Sequence, residues 1–371
     1  MLALNIVKRL RGGEARAACR APSGRNVITQ FRMKTASTTG GASSDAMIAI
    51  DGLTKRFGPF TAVDRISFTV TRGEVLGFLG PNGAGKSTTM KMVTGFLAPS
   101  EGSVRVCGHD VVSDTLAAQR TIGYLPEGAP AYGDMTPRSF LKFISRIRAL
   151  SGSAADEAIA NAVAATELQG VLDQPIDTLS KGFRRRVGLA QAILHNPPVL
   201  IMDEPTDGLD PNQKYEVRKL IQRMAADKAI VISTHILEEV DAICSRALII
   251  DRGRVVADGT PAELISRSRY HNAVTLTVGG QLTVNAAEML KALPGVASME
   301  VSPRGAETVF TLFTARGTAS ESVAAEVGLI DAVARVAREQ NWQVRALYGE
   351  PGRLDEVFRA LTRSDVEESA A

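Results

Sequence analysis

The chain has 371 residues, of which 44% are hydrophobic and 22% charged, with a formal net charge of +3. That balance suits about two globular domains and excludes fibrous and wholly disordered classes. Apolar runs such as 199–202 and 247–250 fall far short of the ~18 consecutive apolar residues of a membrane-spanning helix, so no bilayer span is expected.

Cys19, Cys107 and Cys244 are scattered and form no CxxC, which excludes a disulfide framework and points to a reducing, cytoplasmic compartment. In residues 1–46, eight basic residues from Lys8 to Lys34 face only Glu14 and Asp45. The remainder is therefore net acidic, unlike a basic nucleic-acid binder. Small polar runs such as 37–44 predict a flexible extension over 1–46, dispensable or preceding a true start at Met33 or Met47. Its Arg-rich, acid-poor composition also fits a transit peptide or attraction to anionic lipid.

From Met47 the pattern changes to β-branched runs, 48–50, 66–70 and 75–79, which predict strands leading into a glycine-rich loop. Phe140, Phe143, Ile144 and Ile147 recur at helical spacing and 154–168 is rich in helix formers; together they predict a helical subdomain over about 128–180. The apolar runs 199–202, 229–232 and 247–250 have the form of buried parallel strands, so the core is expected to be α/β.

The polar stretch 266–272 predicts a domain boundary, separating a nucleotide-binding domain (47–270) from a C-terminal accessory domain (271–371). Beyond it the pattern reads as a strand (274–278), a helix (286–293), strands (296–301 and 308–313), a helix (322–340) and a strand (343–348). That is the order of a ferredoxin-like α+β domain.

Gly80-Pro81-Asn82-Gly83-Ala84-Gly85-Lys86-Ser87-Thr88 satisfies GxxxxGK[ST] directly after the strand 75–79. In this pattern backbone N–H groups turn onto the phosphates of ATP, Lys86 reaches the β- and γ-phosphates and the Ser87 hydroxyl ligates Mg²⁺. Asp203 and Glu204 follow the run 199–202, at the strand end where α/β sheets bind ligands. Asp203 suits Mg²⁺, and Glu204 can orient and activate the attacking water.

Leu179-Ser180-Lys181-Gly182-Phe183, just before that strand, resembles the LSGGQ signature of ATP-binding-cassette (ABC) ATPases. Asp207-Gly208-Leu209-Asp210-Pro211 resembles the D-loop of the same family, Thr234-His235 its switch histidine and Phe57 its adenine-stacking aromatic. The likeness runs from Met47 to about Leu264 and is closest to ATPase subunits of ABC-2-type exporters, including gliding-motility-associated ones. It implies a P-loop NTPase core with a helical subdomain, and ATP hydrolysis coupled to transport by a separate membrane-spanning permease. It further implies dimerisation with a second copy or a paralogue, with Ser180, Gly182 and Asp210 among the ATP contacts and His235 serving catalysis. The chain would then lie peripherally on the inner membrane face, with no nucleic-acid partner.

Two motifs depart from the family pattern. Glu127 stands where the Q-loop has Gln, making that Mg²⁺ and water contact anionic, and Lys181 and Phe183 alter the signature while keeping Ser180 and Gly182. The competing expectation is a soluble ABC ATPase of DNA maintenance or translation. The first would show sustained heptads within 87–199 and the second two cassettes, and neither is read in the chain. His109, His195 and His271 lack ligand spacing, and Met90 and Met92 read as core.

Overall fold

The computed structural model describes residues 45–128, 132–280, 285–314 and 319–362. The expected extension over 1–46 lies, up to residue 44, outside them. Among the described residues no helix is long and apolar enough to cross a membrane.

Two long strands, β1 (Ala46–Phe57) and β2 (Phe60–Thr71), pair antiparallel. With β4 (Glu101–Val106) and β5 (His109–Asp110) they form a sheet of order β2-β1-β4-β5. A second sheet, of order β10-β9-β3-β8-β7-β6, contains β3 (Val75–Leu79), β6 (Ile122–Leu125), β7 (Val199–Asp203), β8 (Ala229–Thr234) and β9 (Arg246–Asp251), all parallel. β10 (Arg254–Gly259) closes its edge antiparallel.

The central strands are apolar throughout because both faces are covered. Leu76, Phe78, Ile201, Val231, Leu248 and Ile250 point into a core shared with the antiparallel sheet and with α1 (Lys86–Val93). Their neighbours Val75, Leu79, Met202, Ile230, Ile232 and Ile249 pack on the opposite side. There they meet α5 (Lys181–Ile193), α6 (Pro211–Ala225), α7 (Leu237–Ile243) and α8 (Pro261–Ile265). Met90 and Met92 are buried in the first core. Between β5 and β6 lies α2 (Thr115–Arg120).

The helical stretch forms α3 (Pro137–Ile147) and α4 (Gly152–Thr166). α3 starts at a proline after Thr136, whose hydroxyl accepts from Ser139 N–H, a start signal that satisfies one of the free donors of the first turn. Phe140 and Leu141 of α3 pack with Val163 of α4 and with Val187 and Ala190 of α5 in a third core. Leu189 and Ala192 of α5 belong to the second core, so α5 lies between the helical layer and the six-stranded sheet.

The C-terminal elements are β11 (Val274–Gly279), α9 (Ala286–Lys291), β12 (Val296–Arg304), β13 (Glu307–Thr314), α10 (Ala319–Glu339) and β14 (Gln343–Gly349). Their antiparallel sheet has order β12-β13-β11-β14, the ferredoxin-like arrangement that the element order predicts. A last helix, α11 (Leu354–Thr362), leaves that sheet and returns to α8 and β9, with Leu354 buried in the second core and Phe358 and Leu361 packed against it.

Candidate active site

The loop from Gly80 to Gly85 leaves the C-terminal end of β3 and opens α1. Gly85 has φ +106°, and a Cβ there would lie 2.5 Å from the Ala62 carbonyl oxygen, so only glycine fits the turn. Gly253 N–H donates to Ala84 O at 2.9 Å, anchoring the loop from outside. Lys86 opens α1 and folds back, its Nζ donating to Gly80 O (2.6 Å) and Pro81 O (3.1 Å). Burial lowers the Lys86 pKa, while the charges of Glu204, Asp203 and Glu127 oppose that shift.

Asp203 ends β7 and is buried, accepting a hydrogen bond from Ser233 Oγ on β8. Glu204 follows at φ +52°, a left-handed conformation that is uncommon for a residue with a side chain and recurs where structure serves chemistry. Its N–H donates to Ser233 O at 2.9 Å. Its Oε1 lies 2.8 Å from His235 Nδ1, with the Glu204 side chain only 14% exposed and the histidine 59%. Burial raises the Glu204 pKa, opposed by the hydrogen bond and charge of His235 and by Lys86. Glu127, just beyond β6, is exposed.

The candidate residues thus form two groups. Lys86, Glu127, Asp203, Glu204 and His235 share one electrostatic neighbourhood at the C-terminal ends of β3, β6, β7 and β8, with Ser87 and Thr88 in the first turn of α1. Ser180, Gly182 and Asp210 lie instead along the turn 205–213 of their own chain. Ser180 is exposed and caps α5, accepting from Phe183 N–H at 3.3 Å. Gly182 lies so close to Gln213 that a Cβ would come within 2.3 Å of its Oε1. Asp210 caps α6 by accepting from Gln213 N–H at 2.9 Å. Phe57 ends β1 with its ring 49% exposed and Lys55 Nζ 5.2 Å from its centroid.

The donor set suits the ligands that the motifs imply. Ser87 hydroxyl, Asp203 and Glu127 carboxylates offer the hard oxygens that Mg²⁺ takes. Such a sparse set fits an ion held largely by water and substrate phosphates. The glycine-bearing loop before a helix N-terminus, with the Lys86 Nζ folded onto its carbonyls, fits the phosphates themselves.

Several participants escape the sequence motifs. Lys181, the departure from the signature pattern, pairs with Asp207 at 2.9 Å and lies over Gly208. Buried Glu239 accepts from Thr234 Oγ1 (3.0 Å) and from Thr206 Oγ1, joining the backbone before His235 to that after Glu204. Arg185, inside an Arg-Arg-Arg run, turns its guanidinium onto the carbonyls around Glu127 and Glu204. A run of three arginines carries no signal of which turn inward, and here both Arg185 and Arg186 are buried.

Comparison with known proteins follows the same residues. Residues 63–207 match the family described as ABC transporter. The "Probable multidrug ABC transporter ATP-binding protein YbhF" of Escherichia coli (strain K12) is 37% identical over 62% of this chain, which spans only 40% of that relative's length. The "Nod factor export ATP-binding protein I" of Ralstonia nicotianae is 36% identical over 61% of the chain and 71% of its own. Among solved structures, cbiO1 from Clostridium perfringens, described as part of the ABC transporter complex cbiONQ, superposes with TM-score 0.55 and 27% identity over 60% of this chain and 92% of its own. With the phosphate loop, the Asp203-Glu204 strand end and the signature helix assembled on this fold, the chain belongs to the family of ABC transporter ATP-binding proteins.

Proposed function

We propose that this chain is the ATP-hydrolysing subunit of an ABC-2-type exporter. The observation that carries the reading is the convergence of Lys86, Asp203, Glu204, Glu127 and His235 at the ends of adjacent parallel strands. Lys86 and the loop N–H groups bind the β- and γ-phosphates, and Phe57 stacks on adenine. Ser87, Asp203 and Glu127 would hold Mg²⁺, which would supply charge neutralisation at the phosphates. Glu204 takes the proton of the attacking water, and His235 holds the Glu204 carboxylate in place.

Ser180 lies exposed at the start of α5, with Gly182 buried beside Gln213 two residues on, where helix N–H groups and the positive dipole end favour an anion. They serve the γ-phosphate of a second copy, with Asp210 contributing at the same interface. The nucleotide-binding domain spans 47–270, with its helical subdomain at about 128–180 as the contact to a separate permease. The ferredoxin-like domain (271–371) is an accessory to it. The relatives named above are multidrug and export ATP-binding proteins, which favours transport over DNA maintenance or translation. Peripheral placement on the inner membrane face, through the permease, follows.

The test is ATP binding and turnover by the purified chain. The wild type hydrolyses ATP in the presence of Mg²⁺, and Lys86→Ala weakens ATP affinity by ~10-fold or more, since the phosphates lose their main cation. Calorimetry showing unchanged ATP affinity in that variant would overturn the assignment.

A further inference from the structure

Arg185 lies one turn into α5 and is 6% exposed. Its Nη1 donates to Pro126 O (2.8 Å) and Gly128 O (3.1 Å), on either side of Glu127. Its Nη2 donates to the carbonyls of Asp203 and Glu204, and its Nε to Pro205 O at 3.4 Å. One planar cation therefore gathers five backbone carbonyls from two segments that are far apart in sequence. Only a guanidinium can do this: its five N–H donors fan out in a rigid fork, whereas lysine offers three from one point and glutamine two.

The carbonyls it holds are those that set the backbone at Glu127 and Glu204. Glu204 sits at φ +52°, a conformation that costs free energy and persists only where neighbours over-determine it. Capture of the carbonyls of residues 203, 204 and 205 supplies that restraint. The same helix begins at Ser180 and packs into two cores, one under the helical layer and one under the sheet.

We propose that Arg185 is a positioning residue that makes Glu204 and Glu127 follow α5, so that engagement of Ser180 by the partner copy's nucleotide is transmitted to this chain's own hydrolytic carboxylates. This rests on the ATPase reading above. Arg185 acts through Glu204, whose backbone carbonyl it holds.

The experiment compares Arg185→Gln and Arg185→Lys with wild type at saturating Mg²⁺, measuring Tm, affinity for a fluorescent ATP analogue, kcat, and single-turnover hydrolysis in a Glu204→Gln background. Both variants should bind the analogue within ~3-fold of wild type yet lose ~30-fold or more in kcat, the scale expected when a reacting group is displaced by about an ångström. In the Glu204→Gln background the same substitutions should cost less than ~2-fold, because the group being positioned is already disabled.

A full multiplicative loss in that background, or parallel losses of Tm and nucleotide affinity, would mark Arg185 as structural only and overturn the proposal. Wild-type kcat in either variant would do the same. Arg185→Lys keeps the buried charge and supplies the readout where the glutamine variant does not fold. Absence of ATP hydrolysis by the wild type removes the ATPase reading itself, whereas an active wild type with insensitive Arg185 variants removes only this inference.

Discussion

At the end of β7, the Glu204 side chain is mostly buried and hydrogen-bonded to a solvent-facing histidine. Its pKa is raised above the ordinary carboxylate value by burial, and the bond to His235 works against that rise. A base must be ionised, so the acidic limb of kcat/KM for ATP should lie above pH ~4.3, the unperturbed glutamate value. His235→Ala removes a stabiliser of the ionised form, so the limb should move to higher pH and kcat should fall. A limb that stays fixed in a pH–rate profile would separate His235 from Glu204. Glu204→Gln should keep ATP affinity and lose ~100-fold or more in kcat, because the amide cannot accept the proton; a loss below ~10-fold would contradict its role as base. Lys181 shows how a departure from a motif is absorbed: it pairs with Asp207 of its own chain. Both partners are more than half exposed, so the pair contributes no more than about 1 kcal/mol and acts mainly by holding the signature against the turn after Glu204.

Among the elements, α5 and β6 connect the helical layer to the sheet through polar contacts. Gln191 Nε2 donates to Tyr124 O (2.7 Å), Arg148 Nη1 to Gln119 O (2.8 Å) and His195 Nε2 lies 3.1 Å from Ile122 O. Burial holds the Arg148 guanidinium down to about 10. Burial, with the charge of Arg148 beside it, holds His195 down to about 3 from its ordinary 6.5. The unfolded chain therefore takes up a proton as pH falls below 6.5 while the folded chain does not, and stability is lost from there down towards pH 3. His195→Gln, which keeps a donor for Ile122 O, should flatten that loss. Between pH 7 and pH 5 in urea denaturation the difference should be about 1 kcal/mol, reduced from the full linkage value because part of the residue keeps contact with solvent. The buried strands were legible as apolar runs between helices, and the phosphate loop and the Asp203-Glu204 pair as spacings, because each is contiguous in the chain. β4, β5 and β10 were not, since they are short strands at or near sheet edges with few buried residues. The stripe read as Phe140, Phe143, Ile144 and Ile147 in fact buries Phe140 and Leu141 most deeply. Arg185 and Ser233 join the site only through contacts between distant segments, for which no local pattern exists.

For the whole molecule, Lys181 and Gly182 lie against Gly208 and Gln213 of their own chain, and on the proposed reading the signature serves a nucleotide bound by a second copy, each chain being half of a reaction centre. A two-fold partner would complete both halves at once. Lys86→Ala and Ser180→Arg proteins should each be nearly inactive, and after subunit exchange an equal mixture should regain about a quarter of wild-type turnover, because half the pairs hold one intact centre. Steady-state titration of one variant into the other reads this directly; a flat background would argue against independent shared centres, and full activity of either variant alone would remove the dimer mechanism. The course of the C-terminal chain has a consequence of another kind. Asn272 N–H donates to Glu350 O (3.1 Å) and Glu350 N–H to Ala273 O (2.7 Å), so the chain enters and leaves the β11–β14 sheet at a single point before α11 returns to the main body. The sheet is a graft on a closed stem, and the final helix belongs to the stock. A protein cut after residue 272 loses Leu354, Phe358 and Leu361 from the second core, apolar side chains worth roughly 1.5–3 kcal/mol each when fully buried, and should melt lower and aggregate. Excision of 274–349 with a short glycine bridge should instead leave Tm nearly unchanged. Whatever the graft senses or binds, it could be replaced during evolution by another of different shape without the engine beneath having to refold.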